Sequence, residues 1–164
     1  MTDLADLQLQ IDRLTAAEAV RDLVFEYTNL LDSGRMEAMA ELFEHCDFGQ
    51  ADAAGNPSNE LVRGAAAVLA QYRAFTRIHA DTGTPRTKHV TTNVRVQVAP
   101  DAKTATATSY VLVVQGAPAL PLQVILTSRN FDTFERVDGR WRFSRRLITI
   151  DHTGDLSAHA LRPL

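Results

Sequence analysis

The stretch "NFDTFERVDGRWRFSRR", Asn130 to Arg146, alternates bulky apolar with polar residues on both sides of Asp138-Gly139. A period of two marks a strand with one covered face, and an Asp-Gly pair between two such runs supplies the positive backbone angles of a two-residue hairpin. Two antiparallel strands, Gln123–Arg136 and Arg140–Ile150, are predicted. Upstream, His89–Val98 and Thr104–Gln115 have the same strand character, with the breakers "APDAK" and "GAPALP" between the runs.

Before the strands the period changes. Leu4, Leu7, Ile11 and Leu14 are spaced for one face of a first helix, Asp3–Leu14. Thr15 with Glu18 reads as a capping box opening a second helix, whose face of Val20, Leu23, Val24, Tyr27, Leu30 and Leu31 runs to Gly34. A short third helix is expected from Met36 to Phe43. "CDFGQADAAGNPSNELVRG" reads as a hairpin or irregular loop with a strand at Glu60–Val62, and Gly64–His79 is helical again. Helices followed by long antiparallel strands give an α+β domain spanning residues 1–164, with the helices packed on one face of a curved sheet.

A chain that is 45% hydrophobic and 23% charged has the composition of an ordinary globular domain. Its net charge of -3 argues against nucleic acid as a partner. The dense basic cluster, Arg140, Arg142, Arg145 and Arg146, reads as a solvated strand edge or as ion pairs with Asp132 and Glu135. The lone Cys46 has no partner for a disulfide and no ligand spacing, which predicts a reducing, cytoplasmic setting. The acidic N-terminus lacks the features of an export signal, and no apolar run is long enough for a membrane span, so neither export nor membrane anchoring is predicted.

Phosphate-cradling glycine loops, nucleophile elbows, CxxC pairs and HExxH motifs are all missing, so no metal and no cofactor is expected. What remains is a carboxylate, an imidazole and a phenol. Tyr27 and Asp32 lie on one helix about 140° apart and about 7.5 Å along its axis, so they share no stripe but can border one pocket mouth. His89 stands among β-branched residues where a plain strand would carry another valine. On spacing alone, His89 is equally a strand histidine bonded to a backbone carbonyl, and Asp32 a helix-end residue. His45 and His79 read as helix-end caps. His152 and His159 fall in the tail "DHTGDLSAHALRPL", whose default is solvent, with a pocket cover or a subunit contact as alternatives.

"AVRDLVFEYTNLLDSG", "TKHVTTNVRV" and "NFDTFERVDGRWRFSRR" together resemble the SnoaL-like branch of the NTF2-like, or cystatin-like cone, superfamily, over roughly Leu14 to Ile150. The resemblance implies a cone: helices in the concave face of a strongly curved, mostly antiparallel sheet enclosing an apolar cavity. In its scytalone and bile acid dehydratases and its hexachlorocyclohexane dehydrochlorinase, an aspartate ending the second helix and a histidine early in a strand match Asp32 and His89. His89 would be the general base and Asp32 its orienting partner. Tyr27 matches a tyrosine of the bile acid dehydratase, Tyr110 falls near a pocket-lining strand position, and either would donate a hydrogen bond to a developing oxyanion or a departing hydroxyl. Arg146 matches an arginine of the dehydrochlorinase, which implies that it, like Tyr110, helps to bind substrate. Scytalone dehydratase carries a second histidine in the region of Tyr110, where this chain has none.

The implied activity is that of a cofactor-independent lyase or isomerase of dehydratase type. Its substrate would be a small hydrophobic carbonyl compound, a steroid, a polyketide or an aromatic, bound against Leu31, Leu112 and Phe131. A non-catalytic ligand-binding or assembly domain and a polyketide cyclase are the alternatives. The resemblance also implies a homo-oligomer, dimer or trimer.

Overall fold

The computed structural model describes residues 3–163. Its first element, α1, is one continuous helix, Leu4–Asp32. The break expected at Thr15 does not occur: no Gly or Pro interrupts residues 4–32, and Ala16, Ala17 and Ala19 favour helix across the junction. Glu18 pairs with Arg21 on the exposed face instead of capping. Leu4, Leu7, Ile11 and Leu14 project into solvent, whereas from Ala16 onward one face is buried.

A short helix α2 (Met36–Glu41) leads to β1 (Asp47–Gln50), which pairs with β2 (Val62–Arg63), the hairpin of the two expected arrangements, although the strand shares only Val62 with the predicted Glu60–Val62. The next helix, α3 (Ala65–Phe75), is shorter than predicted. Thr76 has an extended backbone and bridges to Ala160, so Thr76 to His79 follow the C-terminal segment rather than the helix. His79 caps no helix; its Nε2 hydrogen bonds the Ala158 carbonyl at 3.1 Å.

The four long strands are β3 (Thr87–Val98), β4 (Thr104–Ala117), β5 (Leu120–Val137) and β6 (Arg140–Thr153). They extend past most of the predicted ends. The sheet order is β2-β1-β6-β5-β4-β3, with β1 parallel to β6 and every other pairing antiparallel. Asp138 and Gly139 both have positive φ, 50° and 78°, as the hairpin reading requires. Register shifts at Thr92/Arg95, Val113/Val114, Thr127/Ser128 and Thr133/Phe134 bend the long strands, and the sheet curls without closing.

The main core lies between α1, α2 and the sheet, where Val20, Val24, Met39, Phe43, Phe134 and Phe143 are essentially inaccessible. Each such side chain contributes about 1.5–3 kcal/mol by leaving water. A second cluster, Val111, Val113, Leu120 and Ile125, is covered by Leu156 and Ala158 of the C-terminal segment. That segment is therefore packed, and the expectation of a solvated tail is corrected for His159, although His152, at the end of β6, is exposed and bonded to Thr127. Of the basic cluster, Arg142 pairs with Glu135 as expected, and Arg146 pairs with Asp132 inside the core.

Candidate active site

The end of α1 is held against the loop preceding β3 by a close backbone approach. Gly34 has φ 76°, and a Cβ there would lie 2.0 Å from the Gly83 carbonyl oxygen, so only glycine permits the contact. The contact sets Asp32 beside the first turn of β3, where Thr87 and His89 point to the inner face and Lys88 to solvent.

Asp32 receives three hydrogen bonds there. Its Oδ1 accepts from Thr87 Oγ1 at 2.7 Å and from His89 Nδ1 at 2.6 Å, and its Oδ2 accepts from the His89 backbone N–H at 2.7 Å. Burial pushes the carboxyl up, but the bonds and charge of His89, with the Thr87 hydroxyl, outweigh it and hold Asp32 below its ordinary value. An ionised Asp32 fixes the proton of a neutral His89 on Nδ1. Nε2 then carries a bare lone pair, and it has no protein partner among the described residues.

His89 lines a cavity of about 320 Å³. Its walls are mostly apolar: Leu31 from α1, Phe48 from β1, Phe75 from α3, and Val111, Val113 and Ile148 from the sheet. Ser128 and Asn130 on β5 add polar groups, and the Asn130 side-chain oxygen Oδ1 is buried without a partner among the described residues. Tyr27 also borders the cavity, its hydroxyl 2.6 Å from that of Tyr72 on α3. Burial raises both phenols, more so Tyr72, and they stay protonated donors at neutral pH.

Arg146 does not reach the cavity, contrary to its expected role in substrate binding. It is fully buried and holds Asp132 through two bonds of 2.8 and 2.7 Å. Its guanidinium lies 4.2 Å from the Tyr27 ring centroid and 4.7 Å from that of Phe143. Burial disfavours the cation, but the Asp132 charge and hydrogen bonds outweigh this and raise its pKa. Beneath the cavity, Arg146 supports Tyr27 from behind.

Tyr110, Leu112 and Phe131 are corrected together, because all three lie on the outer face. Along β4 the buried positions are Ala105, Ala107, Ser109, Val111, Val113 and Gln115, so Tyr110 is half exposed and Leu112 points away. On β5, Asn130 and Asp132 face inward, and Phe131 packs instead against the backbone at Gly55. Tyr110, Val111, Leu112 and Val113 are all suited to a strand face, so composition gave no sign of which parity faces in.

His159, for which solvent was the default expectation and a pocket cover an alternative, lies at the pocket. It is 8% exposed, lines the cavity, and packs edge-on to Phe75 with centroids 5.7 Å apart. Burial, then the positive potential of His89, partly offset by Asp32, and that of His79 push its pKa down to about 4. The only available signal was that Leu156 and Leu161 bracket it in an otherwise polar tail. Cys46 is buried, its thiol pushed up to about 12 chiefly by burial, which leaves it protonated and inert.

Residues 12–147 match the profile of a SnoaL-like domain. No curated protein matches the sequence. Among solved structures, an NTF2-like protein with a cystatin-like fold from Novosphingobium aromaticivorans is 26% identical, with a TM-score of 0.73 over 92% of this chain and 91% of that one. A candidate scytalone dehydratase from the same organism is 25% identical, with a TM-score of 0.68 over 94% and 97%. A hexachlorocyclohexane dehydrochlorinase, 16% identical with a TM-score of 0.66 over 94% and 95%, shares the fold.

Proposed function

The chain belongs to the SnoaL-like domain family, and on that footing we propose that it is a cofactor-independent lyase or isomerase of dehydratase type, acting on a small hydrophobic carbonyl compound. One observation carries the reading: the Asp32–His89 pair at 2.6 Å, with the second imidazole nitrogen free and His89 on the wall of a largely apolar cavity. A core histidine has no need of a carboxylate held by three separate donors.

The steps follow from that geometry. His89 Nε2 takes a proton from the carbon next to a substrate carbonyl, and the C–H electron pair moves into the carbonyl as an enolate. Asp32 stabilises the imidazolium that forms, while Tyr27, tied to Tyr72, donates a hydrogen bond to the developing oxyanion. Return of the electron pair expels a hydroxyl from the β carbon, which leaves as water with the proton that His89 holds. Return of that proton to another carbon gives an isomer instead. The low dielectric of the cavity strengthens each interaction.

The test is a screen of cyclic and aromatic β-hydroxy ketones for appearance of the conjugated enone absorbance. We expect His89→Gln and Asp32→Asn each to lower turnover about 10²- to 10⁴-fold with the fold retained. The amide of the Asp32 variant would offer an N–H to Nδ1, move the ring proton to Nε2, and so occupy the lone pair that acts as base. Full turnover by either variant would end the reading.

A further inference from the structure

The mechanism above leaves His159 unused, although it stands in the same cavity wall. Its surroundings are not those of a passive lid. The His159 carbonyl accepts from the Arg77 N–H at 2.7 Å, its own N–H donates to the Leu156 carbonyl at 2.9 Å, and the Leu161 N–H donates to the Phe75 carbonyl at 2.8 Å. Gln115 Nε2 bonds the Pro85 carbonyl at 2.8 Å and reaches the Ala158 carbonyl at 3.4 Å, which ties the segment to β4 as well. The backbone on both sides of the ring is thus anchored to the end of α3 and to the sheet.

Against this, the side chain itself makes no hydrogen bond among the described residues. Nδ1 is completely enclosed without a partner, and Nε2 is the nitrogen left accessible on a ring that borders the cavity. An orphaned buried N–H is rarer in folded proteins than an orphaned lone pair, which puts the proton on Nε2. From this we infer that His159 is a second histidine of the site, one that donates a hydrogen bond from Nε2–H to an oxygen of the bound substrate and so fixes which end of the molecule meets His89.

The inference rests on the proposed function for its substrate class, a flat apolar compound bearing a carbonyl or hydroxyl oxygen. It divides the labour between two imidazoles. His89, backed by a carboxylate, accepts a proton. His159 has no carboxylate partner; the titratable groups acting on it are His89, Asp32 and His79, and with a pKa of about 4 it stays neutral at neutral pH. A neutral imidazole donor can hold an oxyanion without becoming a competing acid for His89.

The test uses binding, without turnover. We expect 2-acetylnaphthalene to bind the wild-type chain about tenfold more tightly than 2-isopropylnaphthalene, its hydrocarbon isostere, by calorimetry. His159→Phe, which keeps a ring against Phe75, loses that preference, and His159→Gln, which keeps an N–H near the same place, retains most of it. Equal binding of the two probes by the wild type, or a preference that survives in His159→Phe, would overturn the inference. Because the Phe variant could fold poorly, nitrogen NMR of the wild-type imidazole is the second measurement. His159 should be neutral with its proton on Nε2 from pH 7 to 5, and that proton should move downfield when 2-acetylnaphthalene is added. A proton on Nδ1, or no response to the ketone, would also overturn it. Either result leaves His89 as base standing or falling on the turnover screen alone.

Discussion

Two carboxylate pairs lie a few side chains apart in this molecule, and they are built for opposite ends. Asp132 and Arg146 are 1% and 0% exposed, joined by two bonds, with aromatic faces covering the guanidinium. Asp32 and His89 are each 10% exposed, joined by one bond between side chains, with one imidazole nitrogen left over. The first pair seals a guanidinium cation in the core; the second leaves one imidazole nitrogen of His89 unpaired at a cavity. Burial alone therefore does not mark a functional site. What marks it is where the unmet hydrogen-bonding capacity faces: Arg146 Nη1 also lacks a partner among the described residues but is enclosed in the core, whereas the second nitrogen of His89 stands at a cavity wall.

Breaking the first pair should produce the largest loss of stability. Asp132→Ala leaves the Arg146 cation uncompensated in the core, and we expect a cost of about 3–5 kcal/mol by urea unfolding. Replacing both partners, Asp132→Leu with Arg146→Met, should recover most of it, since apolar side chains of similar size need no desolvation. By contrast, His89→Gln should cost about 1 kcal/mol, because Asp32 keeps its bonds to Thr87 and to the His89 backbone. A comparable loss from both single variants would erase the distinction between the pairs.

The environment of His159 sharpens the contrast through pH. His159 has an ordinary value of 6.5 and a folded value of about 4, so between these the unfolded chain binds a proton that the folded chain refuses. Stability then falls as pH drops from 6.5 to about 4 and levels off below, a total on the order of 3 kcal/mol. Asp32, held below its ordinary 3.8, releases its own contribution only in stronger acid, outside that window. Unfolding midpoints at pH 7, 5.5 and 4.5 should show this slope in the wild type and lose it in His159→Gln. A flat wild-type profile would mean that the ring is solvated.

How much of this was legible beforehand depends on the range of the interaction. The Asp138-Gly139 turn is decided by its own two residues, and the α+β order by local periodicity, so both could be read directly. The capping box at Thr15 was a local signal too, but it competes with an alanine-rich junction that costs nothing to leave helical, and the continuous helix won. Asp32 and His89 are 57 residues apart, and only the resemblance of their flanking motifs to known enzymes joined them. Beyond the bracketing Leu156 and Leu161, no local signal placed His159 inward, because the bonds that hold it come from Arg77 and from the fold of its own segment against α3.

The misjudged sheet face supplies the smallest effect and the finest test. Tyr110 and Val111 are adjacent, and both suit a strand, yet one is 50% exposed and the other 4%. Tyr110→Ala removes an outer-face ring beside Thr92 and Arg129, and we expect a change of about 0.5 kcal/mol with no change in the affinity for 2-acetylnaphthalene. Val111→Ala enlarges the cavity wall and should cost about 2 kcal/mol while weakening that affinity. Each substitution removes apolar surface, so the difference between them measures parity alone. If Tyr110→Ala proved the more damaging to binding, the outer face of the sheet would be the ligand surface, and the pairing of His89 with the cavity would lose its meaning.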